Sequence, residues 1–306
     1  MFKEKISKVI KLIKKPSIIF SYFNRKGFFN KMSDEKFLKY FYKIRTGKTL
    51  NLYNPTTFNE KLQWLKIHDR KQIYTEYVDK YSVRKHVQNL IGKEYLIPLL
   101  GKFDSFDQIN FNKLPNQFVL KCSHDSGGLV ICKDKKTLDI KKSRKKIEKS
   151  LRRNYYYYGR EWVYKNIKPR IICEEYLSDN YFNNSSLVDF KFYCFNGEPY
   201  YCQVIQGRGL HETIDFYDMS WNHMPFNGTR PLPMSNKKME KPQKLNEMIG
   251  IARKLSQNIP FIRVDLYYVN KRIYFGELTF FPSSGIGCFQ PHEWNKKLGE
   301  LIRLPY

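Results

Sequence analysis

Apolar residues recur every three or four positions along the first third of the chain, the spacing of one face of an α-helix. The stretch DEKFLKYFYKIR follows Ser33, a residue type that caps helix N-termini. FNEKLQWLK begins after Thr57 and carries Glu60 at the position that completes a capping box. A further stretch, YVDKYSVRKHVQNLIG, ends at Gly92 and predicts one continuous helix. We therefore expect the chain before residue 95 to be mostly helical.

From residue 117 onward the pattern changes to short apolar runs separated by turn residues, which is typical of strands. QFVLKCSHDSGGLVICK predicts two strands joined by a glycine loop, and RIICEEYL predicts one strand. DFKFYCFNGEPYYCQVIQG predicts a hairpin that turns at Asn196-Gly197. Further helices are expected in KKSRKKIEKSLRRN and KPQKLNEMIGIARKLSQN. Helices first, followed by antiparallel hairpins interleaved with helices, indicate an α+β protein.

The last hairpin, RVDLYYVNKRIYFGELTFFPSSG, places two acids in apolar strands, where a carboxylate is costly to bury. If the turn is centred on residue 271, Asp265 lies opposite Glu277 and Arg263 opposite Thr279, all on one face. Carboxylates directly opposite each other repel, and a divalent cation such as magnesium between them removes that repulsion. Loss of one acid should then stabilise the metal-free protein. The alternative is a solvated strand face with an arginine–carboxylate cluster.

The glycine loop SHDSGG follows Lys121 at the end of an apolar strand. It is not a Walker A loop, because it lacks the Gly-Lys-Ser/Thr ending and leads into a strand. Gly127 and Gly128 permit backbone N–H groups to approach a phosphate chain, with Lys121 beneath it as a point charge. An ordinary hairpin loop is the alternative.

The chain is strongly basic, with 55 Lys and Arg against 29 Asp and Glu and a formal net charge of +26. Two interpretations stay open: a lysine-rich composition common to the whole proteome, or an anionic partner such as a nucleotide, an acidic glycan, a membrane surface or a nucleic acid. The six cysteines form no Cys-x-x-Cys pair and lie mostly in apolar runs, which is typical of reduced thiols in a cytosolic protein.

No stretch approaches the ~20 apolar residues that a membrane-spanning helix needs. The first 20 residues are basic and weakly amphipathic, but they lack the cleavage site of a signal peptide. We expect a cytoplasmic protein whose first residues form either a solvated capping helix or a peripheral contact, through residues 1–20, with the inner membrane face.

Taken in order, these segments resemble the ATP-grasp superfamily. DKYSVRKHV resembles its first ATP-lysine region, FVLKCSHDSGG its second lysine and glycine loop, CEEYL its adenine hinge, and DFKFYCFNGEP the strand that approaches the ribose. The final hairpin resembles its Arg-x-Asp…Glu-x-Asn…Pro-x-x-Gly magnesium segment. Thr279 replaces the usual Asn, which leaves open whether one or two magnesium ions are held. FNEKLQWLK, DFKFYCFNGEP and the FYD…W pattern at 216–221 are similar to the TupA-like branch, which is associated with teichuronopeptide and other cell-surface polysaccharide biosynthesis.

The resemblance implies a role for particular residues of this chain. The implied ATP-binding residues are Lys80, Lys121, Ser126, Gly127, Gly128, Glu174, Glu175, Leu177, Asp189 and Lys191. The implied magnesium ligands are Asp265, Glu277 and Thr279. The implied catalytic residues are Arg263, which would stabilise a tetrahedral oxyanion, and Arg208. Arg208 and the loop of Ser283, Ser284 and Gly285 are the residues implied to hold the acceptor carboxylate.

The implied fold has two α+β lobes that clamp a nucleotide. Its predicted parts are a helical N-terminal region (1–75), an N-terminal lobe with the glycine loop (76–175) and a C-terminal lobe with the magnesium site (176–306). The implied activity is ATP- and Mg²⁺-dependent ligation of a carboxylate to an amine through an acylphosphate. The implied substrates are an anionic glycan or uronic acid and an amino acid or amine.

Two other functions compete with this interpretation. A glycosyltransferase would usually carry an Asp-x-Asp metal signature, and the chain has only DFYD at 215–218. Single-stranded nucleic acid would suit NYYYYGREW at 154–162 beside the basic helix, although packed tyrosines explain that stretch equally well. We expect no nucleic-acid partner and keep the glycosyltransferase of surface polysaccharide biosynthesis as the alternative.

Overall fold

The secondary structure follows the predicted order of helices and hairpins. The computed structural model describes residues 16–178, 187–207 and 211–305. The helices are α1 (Pro16–Arg25), α2 (Asp34–Thr46), α3 (Phe58–His68), α4 (Ile73–Val78), α5 (Val83–Ile91), α6 (Ile140–Leu151), α7 (Tyr156–Gly159), α8 (Leu245–Ser256) and α9 (Trp294–Glu300). The strands are β1 (Leu99–Phe103), β2 (Phe118–Cys122), β3 (Leu129–Cys132), β4 (Ile171–Glu175), β5 (Asp189–Phe195), β6 (Glu198–Gln206), β7 (Thr213–Asp218), β8 (Phe261–Val269) and β9 (Arg272–Thr279). No helix within the described ranges is long and apolar enough to cross a membrane.

The start of α3 has the predicted capping box. The Thr57 hydroxyl accepts the N–H of Glu60 at 3.3 Å, and the Glu60 carboxylate accepts the N–H of Thr57 at 3.0 Å. Two N–H groups that have no partner inside the helix are thereby satisfied. α2 also begins directly after Ser33, although the Ser33 side chain makes no capping hydrogen bond.

The prediction of one continuous helix up to Gly92 is wrong, because the chain breaks between α4 and α5. The Asp79 carboxylate accepts the N–H of Tyr81 at 3.1 Å and the hydroxyl of Ser82 at 2.8 Å. Such local bonds from an Asp side chain compete with helical hydrogen bonds and end the helix. The break leaves Lys80 in a turn, where its backbone and side chain are both available for contacts outside the helix.

The first sheet has the order β1-β4-β2-β3, with every neighbouring pair antiparallel. One face packs on α6, where Phe118, Leu120 and Cys173 join the Ile147 side chain in a buried core. Because side chains alternate along a strand, the opposite face carries Lys121. That lysine meets a carboxylate of β4, described below.

The second sheet has the order β7-β6-β5-β8-β9 and is also antiparallel. The largest core joins this sheet to side chains of α3, α4, α5 and α8. The predicted boundary after residue 75 falls inside α4, whereas residue 175 is the last residue of β4. A smaller third core belongs to α1 and α2, with Phe20, Phe37 and Phe41 at its centre.

The predicted pairing of the two acids is confirmed. Asp265 lies opposite Glu277 and Arg263 lies opposite Thr279 in the β8–β9 ladder. The four side chains therefore share one face of the second sheet.

The hairpin reaches this register by a route that the sequence pattern does not show. Its turn has two residues, Asn270 and Lys271, both with positive φ (49° and 63°). Because Val269 pairs with Arg272, the pairing axis of the hairpin lies between these two residues, half a residue before position 271. A β-bulge at Gly276 then inserts one extra residue into β9 and restores the pairing of Asp265 with Glu277. Without the bulge, Asp265 would lie opposite Gly276.

The glycine loop between β2 and β3 packs tightly on α6. A Cβ atom on Gly128 would lie 2.4 Å from Ser150 Oγ and 2.6 Å from Cys122 Sγ. The N–H of Gly128 donates to the buried Asp125 carboxylate at 3.2 Å. Gly128 is therefore needed for contact with the helix, in addition to any role toward a ligand.

We predict that Gly128→Ala lowers the free energy of unfolding by about 1–3 kcal/mol, because the added methyl group overpacks this contact. Gly250→Ala is the matched control, since Gly250 lies inside α8 and its Cβ would meet no atom within 4 Å. The control should stabilise the protein by about 0.5–1 kcal/mol, the cost of glycine in a helix. Urea denaturation of the two variants measures both changes, and equal effects would contradict the packing argument.

Candidate active site

Lys80 joins the glycine loop of the first sheet to the acid pair of the second. Its N–H donates to the carbonyl of Ser123 at 3.1 Å, and its Nζ donates to the carbonyl of Asp125 at 2.7 Å. The same Nζ lies 3.8 Å from Glu277 Oε2. One mostly buried cation therefore contacts both predicted parts of the site.

Asp265 is the buried acid of the second sheet, and two cations hold it. Arg263 donates through Nε to Oδ1 at 2.6 Å and through a terminal nitrogen to Oδ2 at 2.7 Å. Lys191 lies directly opposite on β5 and also donates to Oδ2. Its Nζ is 3.5 Å from Asp189 Oδ1. We call Asp189, Lys191, Arg263, Asp265 and Glu277 the central charge cluster.

Glu277 is the partly exposed acid of this cluster. Burial alone would raise its pKa, but attraction to Lys80, Lys191 and Arg263 and a hydrogen bond from Thr279 outweigh burial and lower the pKa to about 2. The carboxylate is therefore more stable as an anion here than in water. The expectation that the two acids repel in the metal-free protein is wrong, because neighbouring cations already compensate them.

Thr279 orients Glu277. Its hydroxyl donates to Glu277 Oε1 at 3.2 Å and accepts from Arg263 at 3.0 Å. The hydroxyl is thus engaged with protein groups on both sides. Its predicted role as a metal ligand stays a prediction.

Lys121 lies on the face of the first sheet opposite α6. Its Nζ is 2.6 Å from Glu174 Oε2, and Arg84 lies 3.0 Å from the other oxygen of the same carboxylate. Arg84 also donates to the carbonyl of Ile97 at 2.8 Å. Glu174 therefore holds two cations in fixed positions beside β4.

The predicted adenine hinge begins where β4 ends. The N–H of Glu175 donates to the carbonyl of Pro98 at 3.1 Å, so it is not available to a ligand. Leu177, two residues further on, is partly buried. A backbone N–H that contacts a base here would therefore come from a residue after Glu175.

A cavity of about 440 Å³ lies beside Lys80 and the central charge cluster. It brings together side chains that were predicted separately for ATP, metal and acceptor. They are Lys80, Ser126, Arg263, Glu277, Thr279, Ser283 and Ser284. Two further cations, Arg45 and Arg230, line the same cavity.

The loop after β9 forms a left-handed turn at the wall of this cavity. Ser283, Ser284 and Gly285 have φ values of 49°, 55° and 64°, and the two serines pay a steric cost of roughly 1–2 kcal/mol each in this region. Lys66 and Gln63 of α3 hold the turn. Lys66 Nζ donates to the Ser284 carbonyl at 2.9 Å, and Gln63 donates to the Gly285 carbonyl at 2.7 Å.

Lys66 is fully buried and was not identified from the sequence. Its Nζ also donates to the Gly159 carbonyl at 2.8 Å, which links α3 to α7. Burial lowers its pKa to about 8, while Glu161 and Asp34 act in the opposite direction. One signal was available: Lys66 follows Phe58 and Leu62 by eight and four residues, on the apolar face of an amphipathic helix.

Sequence reasoning also missed the role of three tyrosines. Tyr155, Tyr158 and Tyr164 line the cavity. Burial is the main cause that raises the pKa of Tyr155 and Tyr164, so both hydroxyls stay protonated at neutral pH. The tyrosine-rich stretch thus supplies neutral hydrogen-bonding groups to the cavity.

Some predicted residues lie outside the described ranges. Arg208, the second predicted catalytic residue, is one of them. Residues 1–15, most of the segment expected to form either a capping helix or a peripheral membrane contact, also lie outside them.

The family model described as TupA-like ATPgrasp matches residues 60–303. This chain belongs to the TupA-like ATP-grasp family. The predicted α+β ATP-grasp fold, with a helical N-terminal region, is thereby confirmed. Members of the ATP-grasp family are ligases that form carbon–nitrogen bonds. No curated protein matches the chain.

Several solved structures are similar to this ATP-grasp chain. A D-alanine–D-alanine ligase from Bacillus anthracis complexed with ATP has 16% identity and a TM-score of 0.41 over 67% of this chain and 55% of its own. The Helicobacter pylori D-alanine–D-alanine ligase has 14% identity and a TM-score of 0.41 over 80% of this chain and 69% of its own. The ATP-grasp ligase PsnB has 9% identity and a TM-score of 0.42 over 79% of this chain and 63% of its own. That structure is a complex with a phosphomimetic variant of the minimal precursor, Mg and ADP. This chain thus spans little more than half the length of the B. anthracis enzyme.

ATP and Mg²⁺ are the cofactors that the family uses. Within residues 16–178, 187–207 and 211–305, no group of three or more His, Cys, Asp or Glu side chains is arranged to hold a metal ion. Magnesium that accompanies a nucleotide usually takes only one or two carboxylates, and water and phosphate oxygens complete its shell. Glu277 is partly exposed and fits that requirement. Asp265 lies opposite it, but both of its oxygens accept from Arg263 and one also accepts from Lys191, so its role as a metal ligand stays a prediction. Lys80 and Lys121 fit the phosphates by charge.

We predict that Glu277→Gln lowers the free energy of unfolding of the metal-free protein by about 1 kcal/mol at pH 7, a modest value because the side chain is partly exposed. Its folded pKa is below the ordinary 4.5, so this stabilisation is present above pH 4.5 and is lost as the pH falls toward 2. Melting temperatures between pH 7 and pH 3 should show wild type and variant converging. Glu94→Gln, which replaces an exposed acid outside the site, should show no comparable gap. A more stable Glu277→Gln protein at pH 7 would restore the repulsion hypothesis.

Proposed function

We propose that this ATP-grasp chain joins a carboxylate to an amine through an acylphosphate, with ATP and Mg²⁺. We further propose that the carboxylate belongs to a cell-surface polysaccharide of capsular or teichuronic type, or to its precursor, and that the amine is an amino acid or a related amine. The observation that carries the proposal is the position of Lys80. It contacts the glycine loop and Glu277 of the acid pair, beside a cavity lined by four cations and three acids.

The nucleotide would lie against the two lysines. Lys80 and Lys121 neutralise phosphate charge, and Glu174 fixes the position of Lys121. Magnesium, held by Asp265 and Glu277, would supply further charge neutralisation at the phosphates. Such positioning and neutralisation are the main requirements of phosphoryl transfer.

The acceptor carboxylate would occupy the cavity. One of its oxygens attacks the γ-phosphorus and ADP leaves, so no nucleophilic side chain is required. The amine then attacks the acyl carbon, inorganic phosphate leaves with the electron pair of the broken bond, and the amine releases a proton. Arg263 is suited to stabilise the tetrahedral oxyanion, and the turn of Ser283, Ser284 and Gly285 is suited to hold the acceptor. We assign Arg208 to the same acceptor role on sequence grounds alone.

The charge of the cavity favours an anionic acceptor. Four basic side chains line it, Arg45, Lys80, Arg230 and Arg263, against three acidic ones, Asp125, Glu161 and Glu277, and the whole chain carries a net charge of +26. Opposite charge attracts a polyanion and raises its local concentration. A reaction that consumes ATP also favours a cytoplasmic location for the protein.

We predict that Lys80→Met and Lys121→Met each weaken MgATP binding at least tenfold, the equivalent of a lost charge-assisted hydrogen bond of about 1.5–3 kcal/mol. Isothermal titration calorimetry measures the change. Lys168→Met, which removes an exposed lysine paired with Asp104, should bind MgATP like the wild type. Unchanged affinity in either test variant would remove that lysine from the nucleotide site.

The activity itself is tested with ATP and Mg²⁺ and a panel of uronic acids, anionic oligosaccharides and amino acids. We expect ADP and phosphate, and no AMP, only when both an acid and an amine are present. An acid labelled with ¹⁸O in its carboxylate should transfer one label to the released phosphate, because an acylphosphate forms. Asp265→Asn should abolish this turnover. Turnover of a sugar nucleotide without ATP would instead support the glycosyltransferase.

A further inference from the structure

Helix α1 and the turn that follows it expose a continuous aromatic surface. Phe28 is 73% exposed, Tyr22 54% and Phe23 44%, and Ile18 is also exposed. The rings of Tyr22 and Phe23 have their centroids 5.6 Å apart, and so do those of Phe23 and Phe28. Ile18 lies one helical turn before Tyr22, on the same side of α1. We call these four residues the aromatic face.

The aromatic face is not required for the packing of α1. Phe20 and Asn24 point inward, where Phe20 stacks on Phe29 and packs against Phe37. The third core therefore satisfies the helix without the aromatic face. Contiguous exposed apolar side chains of this kind usually mark a contact surface.

The surroundings of the aromatic face are basic. Arg25, Lys26 and Lys31 are exposed beside it, and no acid occurs between Pro16 and Met32. The fifteen residues that precede Pro16 add six lysines and one glutamate to the sequence. Amphipathic aromatic rings next to lysine and arginine are the combination that binds the interface of an anionic bilayer.

We propose that the aromatic face docks on the surface of an anionic phospholipid membrane. The rings of Tyr22, Phe23 and Phe28 enter the interfacial region, while Arg25 and Lys26 contact the lipid headgroups. This proposal does not depend on the proposed ligase activity.

Docking here would also position the cavity. Asn24 donates to the carbonyls of Tyr157 and Tyr158 at 3.0 and 3.1 Å, and Tyr158 lines the cavity. Arg160 donates to the carbonyl of Phe29, immediately after the exposed Phe28, at 2.6 Å. The membrane-facing segment is thus bonded to the cavity wall, so docking would fix the orientation of the cavity relative to the membrane.

Sedimentation of the full chain with lipid vesicles tests the proposal. We expect binding to vesicles that contain phosphatidylglycerol, weaker binding in high salt, and little binding to pure phosphatidylcholine. Tyr22→Ser combined with Phe28→Ser should lower the apparent partition coefficient at least tenfold, although residues 1–15 are retained. Tyr53→Ser combined with Tyr200→Ser is the matched control, because Tyr53 is 99% exposed and Tyr200 is also exposed, yet both lie outside the aromatic face. The control should bind like the wild type.

A second measurement does not depend on the folding of the serine variant. Phe28→Trp adds tryptophan fluorescence to the protein, and the emission maximum of this added signal should move to shorter wavelength when anionic vesicles are present. The signal added by Tyr53→Trp should not move. Equal binding by the Tyr22/Phe28 variant and the wild type, equal binding to neutral vesicles, or no wild-type binding would each overturn the proposal. The proposal would also be overturned if the wild type were a dimer and the serine variant a monomer that still binds vesicles. The aromatic face would then join two copies of this chain.

Discussion

The contact between Asp265 and its two cations determines the arrangement of the candidate active site. The carboxylate is buried on β8 and accepts from Arg263 on the same strand and from Lys191 on β5. Removing one partner of a buried ion pair leaves the other charge uncompensated, at a cost of about 3–5 kcal/mol. Strand pairing and site electrostatics therefore depend on the same three side chains. A change at Asp265 would disturb the sheet as well as the proposed metal site.

Local signals in the sequence were sufficient for several elements of the fold. The capping box at Thr57 and Glu60 needs only four consecutive residues, and the Asn196-Gly197 turn needs only two. The pairing of Asp265 with Glu277 was also predicted, but from a turn centred on residue 271 and without the bulge at Gly276, and these two differences cancel. In each case the residues that decide the structure are close together in the chain.

Features that depend on distant partners could not be predicted in the same way. Lys66 is a site residue because α3 packs against the turn at Ser284, 218 positions away. The sign of the electrostatic effect at Glu277 was also misjudged from the hairpin alone, because Lys80 and Lys191 come from other parts of the chain. The tyrosines at 155, 158 and 164 could be assigned to a cavity only once α7 was placed beside β9 and its following loop.

The bulge at Gly276 has a consequence for how this hairpin tolerates change in length. One additional residue in β9 decides whether an acid or a glycine lies opposite Asp265. Deletion of another residue between the turn and Glu277, with the bulge retained, would place Leu278 opposite Asp265 and move the later side chains of β9 to the other face. Deletion of Gly276 itself would remove the bulge and leave Glu277 opposite Asp265. The hairpin can therefore lose one residue at the bulge and keep its acid pair, whereas a change of length that leaves the bulge in place exchanges the polar and apolar faces.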